Sequence, residues 1–324
     1  MFDEANSSEL RENSMIAAVR NRLAIDRRDL LAAGAGAVAA AVGGASAALA
    51  QSAAPSGQQA PSSRSVNQQG LKLEKQGAVF LIGINRPEAQ NRIDFPTYVG
   101  LGQAYYEYEH DDSLRAAVLY GVGADFSRGL DPPSWAKAFS SPLPQGNEFL
   151  DPLSVTGAVR SKPVVVAVQG QVTRIAHELF LASDIRVASS DARFNQGEVF
   201  GGAFPGGGGT IRFVREAGWA NAMRYMLTGE DWGAEQARRF GLVQDITDPG
   251  KQVDRAIELA KRIATGAPLG VKATLASAHR ALSEGEKAAF AALQPEFVKL
   301  LRSEDRQEFL RATQENRAPV FVGR

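Results

Sequence analysis

Short apolar runs separated by turn residues fill the middle of the chain, and longer amphipathic stripes fill its last third. Residues 71–74 and 78–84 are apolar runs bounded by Gly77 and by Arg86-Pro87, a pattern that predicts two strands. Over 95–110 apolar and aromatic side chains recur at helical spacing, which predicts a helix. Residues 116–120 form a further buried strand closed by Gly121-Val122-Gly123, and 163–168 and 185–188 form two more. Strands this apolar, alternating with helices, predict an α/β fold whose sheets are covered. From Ala234 the period becomes helical: 234–240, ended by Gly241, then 253–265, 270–282 and 284–302. The last stretch places Phe290, Leu293, Phe297, Leu300 and Leu301 on one stripe, which needs a surface to bury against.

The first 69 residues follow a different pattern. Arg27-Arg28 precedes an uncharged, Ala- and Gly-rich run from Leu30 to Ala50 that ends on Ala48-Leu49-Ala50. This is similar to a twin-arginine export signal with a small-x-small cleavage site, and Met15 is an alternative start. A run of this length also suits a membrane span. Its weak hydrophobicity favours cleavage instead. The expectation is a signal peptide over 1–50, a flexible Ser/Gln/Ala/Pro-rich linker over 51–69, and a mature protein exported to the periplasm.

Charge and composition remove several classes of function. The 324 residues carry 36 Lys and Arg against 36 Asp and Glu, so nothing points to nucleic acid or an anionic membrane as partner. There is no cysteine, which excludes disulfides and thiolate chemistry. The three histidines, His110, His177 and His279, lack metal-ligand spacing, and no metal or cofactor is expected.

The chemistry concentrates around two glutamates. Glu178 follows the buried run Lys162 to Gln169 and Gly170, in His177-Glu178-Leu179. Glu198 ends Phe194-Asn195-Gln196-Gly197-Glu198, ahead of Pro205 and the glycines 206–209. Two carboxylates in apolar, glycine-rich surroundings can divide acid and base work when burial moves their pKa values. The glycines lack a following Lys-Ser/Thr, so they suit a helix start that lets backbone come close, with Thr210 nearby, rather than a nucleotide loop. His177 points about 100° away from Glu178 on a helix, which favours packing or surface over general base.

These segments resemble the crotonase superfamily, which includes enoyl-CoA hydratases and isomerases. The resemblance runs from about Gly70 to the C-terminus and also takes in 77–88 and the turn Ser127-Arg128-Gly129-Leu130-Asp131. It implies a crotonase-like ββα spiral core over 70–262 and a C-terminal helical region over 263–324 that packs between subunits of a homotrimer or hexamer. It implies that the backbone N–H groups of Leu130 and Ile175 form an oxyanion hole, with Gly129 beside the substrate. Glu178 would activate water and Glu198 would exchange a proton with the substrate α-carbon of an acyl-CoA thioester. Having both glutamates favours a hydratase over an isomerase. Two departures stand out. Arg174-Ile175-Ala176 replaces three glycines, and Pro132-Pro133 follows Asp131 where a lysine is usual. Arg174 is either a solvent-facing helix start or a guanidinium aimed at an anionic substrate group. The departures leave two other readings open: a CoA-independent hydrolase of diketone C–C bonds, and an exported binding protein without catalysis.

Overall fold

The computed structural model describes residues 66–136, 138 and 148–324. All of them lie in one unit, 61–324. The segment expected to be a twin-arginine signal, its expected cleavage site and residues 51–65 of the expected linker lie outside the described residues.

A seven-stranded sheet carries the core. Strands β1 (Val66–Gln68), β2 (Leu71–Gln76) and β3 (Val79–Ile84) form an antiparallel run. Then β4 (Ala116–Gly121), β5 (Val164–Val168), β7 (Ile185–Ser189) and β10 (Asp245–Thr247) continue it in parallel, in the order β3-β4-β5-β7-β10. Strands β3, β4 and β5 are buried at every position. The cause is visible in their alternation. Phe80, Ile82, Leu119 and Val166 pack on one face against helix α1 (Phe95–His110) and its neighbours. Val79, Leu81, Val118 and Val165 pack on the other under Ala256 and Ala260 of helix α7 (Gln252–Ala264). A sheet covered on both sides demands continuous apolar runs, which is the pattern the sequence carries.

A second sheet of three strands, β6 (Gln171–Thr173), β8 (Arg193–Asn195) and β9 (Trp232–Gly233), holds the functional region. The chain passes from β5 into β6 through Gly170. A Cβ there would stand 2.2 Å from the Ala124 carbonyl, and φ is +53°, so only glycine fits. Three short helices are α2 (Pro132–Trp135), which precedes β5, α3 (Ile175–Leu181), which follows β6, and α6 (Ala234–Arg239). Helices α4 (Gly209–Ala217) and α5 (Trp219–Thr228) pack on each other. Helices α8 (Pro268–Glu284), α9 (Glu286–Leu301) and α10 (Glu304–Gln314) complete the chain.

Two elements lie at the expected domain limits. Strand β1 lies inside the expected linker, because Val66-Asn67-Gln68 is too short and polar to announce itself. The limit expected at 262 falls inside α7, whose small residues cover the sheet. On α9 the stripe expected from the sequence is present but uncovered, with Phe290 and Phe297 more than half exposed. No helix among the described residues is long and apolar enough to cross a membrane.

Candidate active site

The loop after β4 and the turn into α3 are laced side by side. The Ser127 N–H donates to the Gln171 carbonyl at 3.0 Å, and the Thr173 N–H donates to the Ser127 carbonyl at 3.2 Å. Gly129 holds φ +87°, and a Cβ there would approach the Thr173 carbonyl to 3.2 Å. Leu130 and Ile175 therefore line one cavity of about 440 Å³. Ile175 is the first residue of α3, so its N–H has no acceptor within the helix. Neither the Leu130 nor the Ile175 N–H donates to any acceptor among the described residues. Two unused backbone donors on one cavity are what a developing oxyanion needs.

Glu178 and Glu198 line the same cavity. Glu178 lies one helical turn beyond Ile175 and is 4% exposed. Its Oε1 accepts the Gly209 N–H at 2.9 Å. A Cβ on Gly207 would stand 2.7 Å from its Oε2, and one on Gly209 would stand 3.0 Å from its Oε1. The glycine run thus wraps the Glu178 carboxyl itself, besides lining the cavity. Gly208 caps α4 and Thr210 lies in its first turn. Burial pushes Glu178 up to about 7, with the Glu198 charge adding to the rise and the glycine N–H groups and Arg212 opposing it.

Glu198 opens a short 3₁₀ turn, Glu198–Gly201. Its Oε1 accepts from the Gln196 amide at 2.7 Å, while its buried Oε2 has no partner among the described residues. Burial raises its pKa too, opposed by its own backbone N–H, by Gln196 and by the Arg174 charge. Both carboxyls are thus held towards the protonated form.

Arg174 is exposed at the cavity, and its guanidinium has no ion-pair or hydrogen-bond partner among the described residues. The nearby arginines are engaged: Arg92 donates to the Arg128 and Leu130 carbonyls, and Arg128 pairs with Asp125 at 3.0 Å. The Arg174 backbone sits at φ 55°, ψ −120°, a region that glycine occupies in tight turns. His177 is fully buried among Phe180, Phe194, Phe213 and Trp232 rather than facing the cavity.

Sequence reasoning missed the cavity walls. Tyr98 meets Trp135 edge-on at 5.1 Å, and the Tyr98 hydroxyl donates to Asp151 at 2.6 Å. Asp151 collects the N–H groups of Leu153, Val155 and Thr156, and Arg212 donates to the Leu153 and Ser154 carbonyls. This clamps the loop that presents Leu153 and Val155 to the cavity. The wall residues are far apart in sequence and look like core, so only the Asp151 turn carried a local signal.

Comparisons with known proteins show the family. The model of the enoyl-CoA hydratase/isomerase family matches residues 74–324. The chain belongs to the enoyl-CoA hydratase/isomerase family. It is 30% identical over 260 residues to enoyl-CoA hydratase EchA19 of Mycobacterium tuberculosis, which covers 78% of this chain and 96% of that protein. It is 34% identical to the (E)-benzylidenesuccinyl-CoA hydratase of Thauera aromatica, over 78% of this chain and 98% of that one. Among solved structures it is similar to a probable enoyl-CoA hydratase/isomerase from Mycobacterium abscessus. Identity there is 44%, with a TM-score of 0.78 and coverage of 80% of this chain and 100% of that chain. The fold is the crotonase fold with its C-terminal helices, and the activity is of the hydratase/isomerase type.

Proposed function

We propose that this enzyme adds water across the 2,3-double bond of an enoyl-CoA thioester. The observation that carries the reading is two burial-raised carboxyls and two unused backbone N–H groups on one cavity. Ionised Glu178 takes a proton from water, and the water oxygen bonds to the β-carbon. The π electrons of the C=C bond move towards the thioester oxygen, which the Leu130 and Ile175 N–H groups stabilise. Protonated Glu198 then delivers its proton to the α-carbon. The proton gained by Glu178 returns to Glu198 through solvent, so the sum is one water added. Crotonyl-CoA is the probe, followed by loss of the enoyl-thioester absorbance. No turnover of crotonyl-CoA or longer enoyl-CoA esters, with turnover of free diketones, would replace this reading by the C–C hydrolase.

Arg174 supports a narrower preference within this reading: an acyl chain that ends in a second anionic group. Wild type should favour an enoyl-CoA carrying a terminal carboxylate over crotonyl-CoA, and Arg174→Gln should lose that preference. Equal preference in both proteins removes the assignment.

The uncovered α9 face supports assembly into a trimer or hexamer, checked by mass in solution. Arg27-Arg28 and the run to Ala50 support export by the twin-arginine route. Replacing both arginines by lysine should hold the full-length precursor in the cytoplasm. Mature protein still appearing outside the inner membrane refutes the route.

A further inference from the structure

The buried side chains behind Glu198 form a chain of donors and acceptors with only one consistent assignment. The Gln196 side chain is fully buried. Its Nε2 donates to Glu198 Oε1 at 2.7 Å and faces the Arg174 carbonyl at 3.4 Å. Two acceptors on that side fix the amide with its nitrogen towards Glu198. The Gln196 Oε1 then needs a donor on its other side. His177 Nδ1 meets it there. The imidazole must therefore be the Nδ1–H tautomer, and its Nε2 is buried without a partner among the described residues. The aromatic cage offers no carboxylate to an imidazolium. Burial pushes the His177 pKa down to about 3, with the Arg186 charge acting in the same direction, so the ring is neutral at ordinary pH.

We propose that His177 is a positioning residue for Glu198, acting through Gln196. The Nδ1–H holds the Gln196 carbonyl, the Gln196 amide holds Oε1 of Glu198, and Oε2 of Glu198 is left as the oxygen that exchanges the proton with substrate. This rests on the role given to Glu198 above. Two other charged groups of the same cavity act on Glu198, Arg174 and Glu178, and neither replaces the donor from Gln196. Without His177 a buried amide carbonyl is orphaned, the amide is free to turn, and the ionised form of Glu198 loses its donor.

The test compares His177→Phe, which keeps an aromatic ring in the cage, with His177→Asn, whose amide nitrogen falls near the position of Nδ1. With crotonyl-CoA, His177→Phe should lower kcat about tenfold, the scale of one lost hydrogen bond. KM should hold, and one limb of the pH profile should move to higher pH. His177→Asn should recover most of kcat and return that limb. Wild-type kcat and an unmoved profile in His177→Phe overturn the proposal, as does equal loss of stability in both variants with the profile unmoved. A wild type inactive on enoyl-CoA esters counts against the hydratase reading instead. In that case, and if His177→Phe fails to fold, ¹⁵N NMR of the wild-type ring decides. An Nδ1–H signal that moves in Gln196→Leu supports the chain, and an Nε2–H tautomer overturns it.

Discussion

Glu178→Gln should make the protein more stable while removing its activity, and the gain should depend on pH in a defined direction. The folded carboxyl titrates near 7 against an ordinary glutamate value of 4.5, chiefly because it is buried. Between those two values the folded state holds the proton more tightly than the unfolded chain. Stability therefore falls as pH rises through that window, and the penalty is complete above it. The gap corresponds to about 3 kcal/mol at about 1.4 kcal/mol per pH unit. A glutamine keeps the shape and accepts the Gly209 N–H through Oε1, but its amide nitrogen gives up the contact of the second oxygen with the Gly207 N–H. Weakening the Gly209 bond from charged to neutral and losing the Gly207 contact together take back about 1 kcal/mol. The expected net gain is about 2 kcal/mol at about pH 8.5, or roughly 4–8 °C in Tm for a domain of this size. At about pH 4.5 it should vanish or turn slightly negative. Urea denaturation of both proteins at the two pH values, at one fixed protein concentration, measures it. An equal effect at both values, or destabilisation at the higher one, would show that Glu178 is not held protonated by burial.

Three further outcomes follow from the same geometry. Glu198→Gln should cut crotonyl-CoA turnover by about 10²-fold or more with little change in folding, the range for a lost general acid; wild-type turnover would remove Glu198 from the mechanism. Gly207→Ala places a Cβ 2.7 Å from Glu178 Oε2, where no left-handed φ is required, so kcat should fall at least about tenfold while the urea midpoint stays close to wild type; full activity would mean that the Glu178 position is not critical. Arg174→Gly relieves a backbone conformation foreign to side chains and should raise stability by about 1 kcal/mol after the greater entropy of glycine in the unfolded chain is counted; a loss of stability would show that the guanidinium holds the fold.

What the sequence revealed and what it hid divide along a physical line. Strands β3, β4, β5 and β7 were legible because a sheet covered on both faces leaves no room for polar alternation. Their observed ends differ from the expected ones by a residue or so. Helices α5 and α10 were not foreseen. The α5 helix follows Gly218 directly, and α10 opens on Ser303-Glu304-Asp305 after a stretch that already reads as helix. The same contrast runs through the site. Glu178 and Glu198 stood out in their apolar, glycine-rich segments, Leu130 and Ile175 came only from the family resemblance, and all four line the cavity. Tyr98, Trp135 and Asp151 did not stand out. Tyr98 touches Asp151 across 53 residues of chain and Trp135 from another element, and each alone is an ordinary aromatic or acidic position.

Arg174 shows how the two kinds of information combine. The sequence marks it as a departure where glycine is usual, and that alone says nothing about purpose. The structure adds that its backbone adopts the conformation glycine would have had. A side chain held in that conformation costs about 1–3 kcal/mol. A cost of that size in a protein only about 5–15 kcal/mol stable needs an offsetting interaction or a use. The guanidinium makes no hydrogen bond or ion pair among the described residues, its charge acts on Glu198, and it lines the cavity that Glu198 lines. The use is thus sought in what enters that cavity.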